Sequence, residues 1–103
     1  MIITTTNQIN GQNISIIGIV EGATVQTKHV GRDFMAGLKN LVGGELKGYT
    51  EMMNEARSIA KQRMIAQAQS MGADAVVGFR YVSSEVAQSA AEVVAYGTAV
   101  KFV

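Results

Sequence analysis

Three stretches of this chain are apolar at nearly every position, and only one long helical pattern is available to cover them. Ile14 to Val20 reads Ile-Ser-Ile-Ile-Gly-Ile-Val and Ala75 to Val82 reads Ala-Val-Val-Gly-Phe-Arg-Tyr-Val. Glu92 to Val103 alternates bulky with small side chains. β-branched and aromatic residues at this density predict strands. An antiparallel sheet ordinarily keeps one face polar for water, and these segments supply apolar or small side chains to both. A single copy has too few helices to dry both faces.

The remaining elements follow from punctuation and period. Ile2 to Thr6 is a short strand and Asn7 to Gly11 a turn. Glu21-Gly22 is expected to break the next apolar run into two strands, Ile14–Val20 and Ala23–Lys28. Gly31-Arg32-Asp33 opens a short helix with Phe34, Leu38, Leu41 and Val42 in one stripe, and Gly43-Gly44 ends it. Glu45 to Gly48 reads as a loop. Thr50 is placed to cap a long helix that runs to Met71, with Gly72 as its C-cap. Adjacent rows Met52, Ala56, Ile59, Arg63 and Met53, Ala60, Met64, Ala68, Met71 give that helix a broad apolar side, which accounts for most of the methionines as core filler. Ala87 to Ala91 reads as a loop. In the last strand Val94, Tyr96, Val100 and Phe102 share one face, and Ala95, Gly97 and Ala99 leave the other flat. The expected architecture is one α+β domain over residues 1–103, a two-layer sandwich with an antiparallel sheet packed by one long helix plus a short helix. The flat face admits another backbone at close range, which points to a homo-oligomer closed by symmetry. A monomer whose short helix covers that face is the alternative.

The chemistry available to one copy is sparse. The chain has 103 residues, one His, no Cys, nine Lys plus Arg and eight Asp plus Glu, a formal charge of +1. No thiol exists to bind a soft metal or attack an electrophile. The charge balance lacks the clustered cations of a nucleic-acid surface; Arg57, Lys61 and Arg63 follow Glu51 and Glu55 on one helix and read as a solvated, paired face. Every apolar run is broken well before the roughly 18 residues of a membrane span, so neither nucleic acid nor membrane is an expected partner and the expected location is the cytoplasm.

Two constellations remain. His29 and Asp33, in His-Val-Gly-Arg-Asp, are candidate metal ligands within an oligomer, or ordinary polar and capping residues at a helix start. Arg32, Asp33, Glu45, Lys47, Tyr49 and Arg80 are candidate ligand-binding residues near glycine-containing turns. Gly43-Gly44 with Glu45, Lys47 and Gly48 matches no phosphate-loop or dinucleotide pattern, although amides near Thr50 offer an anion site. Arg80 interrupts an apolar strand, with Glu85 and Glu92 as cross-strand partners. No residue is assigned as catalytic, since no nucleophile stands beside a base.

Several blocks also occur together in a familiar order: Thr4-Thr5-Thr6, Gly31-Arg32-Asp33-Phe34, Val42-Gly43-Gly44, Tyr49, Glu55-Ala56-Arg57, Gly72-Ala73-Asp74-Ala75-Val76-Val77-Gly78 and Gly97-Thr98-Ala99-Val100. In this the chain resembles the YbjQ-like family, also called UPF0145, over essentially its whole length. The resemblance implies a subunit similar to that of dodecin-like folds, forming a pentameric ring or a stacked decamer, with heavy-metal binding as the family label. It carries no ligand set onto positions here. A metal bound by this chain would use oxygen donors and His29, which favours hard or borderline divalent ions over copper(I) or mercury. Three functions compete: an oligomeric module binding a metal or small ligand between subunits, a scaffold whose ring is itself the product, and an enzyme with a composite site built from His29, Asp33 and a neighbour's acid.

Overall fold

The computed structural model of the protein describes residues 1–27, 41–42, 45–87 and 90–103. Its elements are β1 (Ile2–Ile3), β2 (Ile14–Thr27), β3 (Leu41–Val42), β4 (Glu45–Leu46), α1 (Lys47–Ser70), β5 (Ala75–Ala87) and β6 (Ala90–Phe102). Four strands form one sheet in the order β1-β5-β6-β2, with α1 packed on β2 and β6. The architecture of the described residues is α+β, with one helix on a four-stranded sheet.

The sheet is mixed, not wholly antiparallel. β5–β6 and β6–β2 pair antiparallel, whereas β1 pairs parallel with β5 through Ile2↔Ala75 and Ile3↔Val76. The reason is the connection that follows β1. Because β1 and β2 lie at opposite edges, residues 4–13 form a strap across the sheet, which lets both strands run in the direction of β5. Backbone bonds fix its ends: Thr4 N–H to Val76 O at 3.0 Å, Gly78 N–H to Thr6 O at 2.9 Å, and Val103 N–H to Asn13 O at 3.0 Å.

β2 is one continuous strand, so Glu21-Gly22 does not break it. Gly22 serves the packing instead: a Cβ there would run into the backbone of Ala60 and Met64. The helix therefore lies unusually close to the strand. Its contact row Ala56, Ala60, Met64 and Ala68 is fully buried, at the four-residue spacing of one helix face. Val20, Val76, Val93, Ala95 and Ala99 complete this core. Burial of each branched or long side chain in it contributes about 1.5–3 kcal/mol.

The flat surface of Ala95, Gly97 and Ala99 is consequently taken by the chain's own helix. Ala95 and Ala99 are fully buried in the helix-side core, which corrects the expectation that another copy's backbone meets them. Small side chains allow close approach, but by α1. The bulkier residues face the other way. Val100 and Phe102 join Ala75, Val77, Ile9 and Ile14 in a second, smaller core beneath the strap.

Other expectations shift at element ends. Leu41 and Val42 belong to a strand that pairs with β4, Leu41↔Leu46 and Val42↔Glu45. Their spacing from Phe34 and Leu38 suits a helical stripe, yet a two-strand ladder satisfies the backbone at these positions; residues 31–40 of the expected short helix lie outside the described residues. Glu45 is strand, not loop, and α1 begins at Lys47, so Thr50 lies inside the helix instead of capping it. β5 continues to Ala87 and β6 starts at Ala90, where a loop over Ala87–Ala91 was expected. The pairing Ala87↔Ala90 shows why: the hairpin ladder runs on through the small residues.

The helix C-terminus is as its sequence indicates. Gly72 has φ +75°, and Ala73 N–H bonds Ala68 O while Gly72 N–H bonds Gln69 O, at 3.1 and 3.0 Å. These are the two bonds of a Schellman ending, which satisfies carbonyls the helix leaves open. A bulge between Val77 and Arg80, with Gly78 at φ +62°, inserts one residue into β5. It leaves Val77 in the strap-side core and turns Phe79 to the helix side.

Candidate functional site

Of the residues read as ligand-binding, His29, Arg32 and Asp33 lie outside the described residues. Glu45 falls in β4 and Lys47 opens α1. Tyr49 is half-buried in the first turn of that helix. Chain continuity brings these three together. Arg80 sits elsewhere, on β5 against the strap: its Nη1 donates to the carbonyls of Thr5 at 3.0 Å and Phe79 at 2.7 Å. The expected partners Glu85 and Glu92 instead stand in register with Ala91 and Ser84. A guanidinium is a rigid multi-donor fork, and here it secures the strap to the strand. Arg80 thus reads as a structural residue, separate from the Glu45–Tyr49 group.

The helix cations reach solvent as expected, but the partners they meet are not carboxylates. Arg57 bonds Asn54, Lys61 Nζ lies 5.9 Å from the Phe79 ring centroid, and Arg63 reaches the backbone of β2. Phe79 in turn meets Tyr81 edge-on, with centroids 4.8 Å apart. A cation at this range from an aromatic face gains modest attraction.

Two surface features emerge that the one-dimensional reading did not isolate. The first is a shallow cavity of about 370 Å³ under the strap, lined by Ile2, Thr4, Thr6, Gln8, Ile9 and Asn10. Its hydroxyls are mutually engaged: Thr4 Oγ1 and Thr6 Oγ1 are 2.8 Å apart, and Thr6 donates to Gln8 O at 2.7 Å. It offers neutral hydrogen-bonding groups without charge. The run Thr4-Thr5-Thr6 supplies its hydroxyls, brought together by the bends that follow β1.

The second is the half of the outer sheet face that the strap does not reach. Ile16 and Ile19 are 75% and 77% exposed, with Val25, Val82 and Tyr96 also exposed. Alternation along the paired strands puts Ile19, Val25, Val82 and Tyr96 on one side, opposite α1. The side-chain period in the sequence identifies these residues as co-facial. Which face the helix takes is a tertiary choice that period alone leaves open.

The comparisons with known proteins agree over the full length. A family profile described as "Putative heavy-metal-binding" matches residues 1–103. UPF0145 proteins of Clostridium novyi (strain NT) and Thermotoga maritima are each 58% identical, over 98% of this chain and 98% and 96% of their own. One of Vibrio parahaemolyticus is 57% identical over 100% of this chain and 99% of its own. The chain belongs to the YbjQ-like family, UPF0145. Among solved structures, a protein of unknown function from Pediococcus pentosaceus, of the DUF74 family, superposes with a TM-score of 0.66 at 22% identity, covering 100% of this chain and 98% of that one. That likeness bears on the fold.

The heavy-metal label of the YbjQ-like family can be tested against the donors present. Among the described residues no group of three or more His, Cys, Asp or Glu converges, and the sequence has no thiolate to supply. Met52 and Met64 are buried in the helix–sheet core, so their thioethers are packing groups. The described part of one copy therefore does not fit a soft-metal centre, which draws on several thiolate or thioether ligands.

Proposed function

We propose that this chain is a subunit of a homo-oligomer, a dodecin-like pentameric ring or two such rings stacked as a decamer, whose binding sites are completed between copies. The observation that carries the proposal is the bare half of the outer sheet face, with Ile16, Ile19, Val25 and Val82 each more than half exposed. Exposed branched side chains gathered on one face of a small chain, here interspersed with Glu21, Arg80 and Glu92, suit an interaction site. The shape supports the same reading: the Cα radius of gyration is 16.9 Å, against about 13 Å for a compact chain of this length. The ring number comes from the family resemblance.

The ligand class follows from the donors that remain. Oxygen groups and His29, repeated around a symmetry axis, suit a hard or borderline divalent ion, and the side-chain chemistry of Arg32, Asp33, Glu45, Lys47 and Tyr49 suits a small polar ligand. A scaffold without ligand is the second reading, favoured by the lack of a convergent ligand set among the described residues of one copy. The proposed location is the cytoplasm; no helix among the described residues is long and apolar enough to cross a membrane.

Native mass spectrometry of untagged protein tests both parts. The expected result is a pentamer or decamer carrying bound mass, with metal content near one ion per site. A monomer throughout the micromolar range overturns the assembly. An oligomer with substoichiometric content of every metal and no bound mass replaces the binding module with the scaffold. Ile19→Lys places a charge in the bare face and is expected to shift the oligomer to monomer while helical circular dichroism is retained.

A further inference from the structure

β2 is outermost in the sheet, beyond β6. An edge strand presents a row of outward N–H and C=O groups on which another strand can be built. This edge is long, and its usual defences are thin. It runs for 14 residues with exposed Ile16, Ile19 and Val25; Glu21 is its single charged residue, and the chain has no proline. Every copy carries the same edge, so two copies meeting antiparallel would present matching apolar rows to each other. A second copy is thus the strand donor this edge fits.

The protein's own helix occupies the middle of that edge. Glu21 N–H donates to Gln67 Oε1 at 2.7 Å, and Arg63 Nη1 donates to Ala23 O at 2.7 Å. Glu21 and Ala23 are two apart in the strand, so their backbone groups leave by the same side. Arg63 and Gln67 are four apart in α1 and share one flank. The spacings match, since two strand residues advance about 6.7 Å and four helical residues about 6 Å. The order also matches: residue 63 meets 23 and residue 67 meets 21, as an antiparallel helix and strand require. Gly22, between the two rungs, lets the helix lie close enough for both side chains to reach over the edge. The flanking positions in the same row, Ile59 and Met71, are apolar and offer nothing to bond the next rungs.

We infer that Arg63 and Gln67 form a clamp that closes the β2 edge to strand addition by a second copy, leaving self-association to the outer face. This goes beyond the proposed oligomer and holds for a single copy as much as for a ring.

The test compares the wild-type protein with the Arg63→Met/Gln67→Met double variant, which removes both polar heads but keeps unbranched stems and helix preference. Amide hydrogen exchange reads the clamp, and light scattering across concentration reads its consequence. The Glu21 amide is expected to exchange about tenfold faster on losing its hydrogen bond. The double variant is expected to form species that exceed the wild-type stoichiometry and grow with concentration. Gln67→Glu keeps an oxygen acceptor and is expected to retain wild-type exchange and stoichiometry. If the double variant loses helical circular dichroism, single Gln67→Met against Gln67→Glu makes the same comparison. A folded Met variant with wild-type stoichiometry at every concentration overturns the clamp, whatever its exchange rate, and so does a Glu variant that behaves like the Met variant. Neither result bears on whether the wild-type protein is a ring.

Discussion

On the helix side of the sheet, Val93, Ala95 and Ala99 of β6 are fully buried, whereas on the other side Ile16 and Ile19 of β2 stand three-quarters exposed. Both faces are apolar in sequence. They differ in what lies over them. On the helix side Val20, Val76 and Val93 alternate with the small residues Gly22, Ala95 and Ala99, and Gly22 lets α1 come close at Ala60 and Met64. The outer side is dried at one end, where Ile9 of the strap packs with Ile14, Val77 and Val100, and is bare at the other. Gly22, Ala95 and Ala99 thus mark where the chain's own helix comes close. The open outer face is where the proposed oligomer would seat a second copy.

The largest way to break this contrast is Gly22→Val. The Cβ would collide with backbone atoms that belong to α1 itself, and backbone cannot swing aside as a side-chain tip can. The expected loss is about 3 kcal/mol or more, read as a fall in urea midpoint together with exposure of the helix-side core. A variant with wild-type stability would mean that the helix does not sit as close as described. Met64→Ala is next. Met64 is the largest fully buried side chain among the described residues, and its truncation is expected to cost about 2–5 kcal/mol. Val82→Ala on the bare face is the matched control, expected within about 0.5 kcal/mol for a single copy. If the control costs as much as Met64→Ala, the outer face is already buried in the working protein, and its loss will depend on protein concentration.

Much of this was legible in the sequence for identifiable reasons. The helix announced itself by a four-residue row of small and long apolar residues and by Gly72, whose left-handed conformation ends it. Strands β5 and β6 showed through β-branched density. The misreadings all concern information that a local pattern lacks. Glycine at position 22 is the same letter whether it breaks a strand or admits a helix, and only the packing partner decides. The flat face of Ala95, Gly97 and Ala99 was recognised as a close-approach surface, but the identity of the approaching backbone is non-local. Arg80 reads in sequence as a cation needing a partner; it donates to the carbonyl of Thr5 in the strap and to that of Phe79 beside it, which no spacing of carboxylates could indicate. The candidate metal ligand His29 and the adjoining Arg32 and Asp33 lie outside the described residues, so the site remains a proposal carried by donor chemistry.

The smallest predicted effects lie where the strap-side core is tied off. Asp74 precedes β5, its own N–H donates to Val100 O at 2.8 Å, and its carboxylate accepts the Phe102 N–H at 2.8 Å. The carboxylate therefore extends the β5–β6 ladder by one bond and holds Phe102 over the covered end of the outer face. Lys101 Nζ approaches the same oxygen at 4.0 Å, but that ammonium is half exposed. A hydrogen bond to partly buried backbone and an ion pair in water differ in worth. Asp74→Ala is expected to cost about 1 kcal/mol and Asp74→Asn, which keeps an oxygen acceptor, distinctly less. Lys101→Ala is expected to stay within about 0.5 kcal/mol. Urea midpoints with and without added salt separate the two contributions, because screening weakens the exposed pair and leaves the backbone bond in place. If Lys101→Ala matched Asp74→Ala, the end of β6 would be held by charge, and the covered half of the outer face would loosen with ionic strength as the helix side does not.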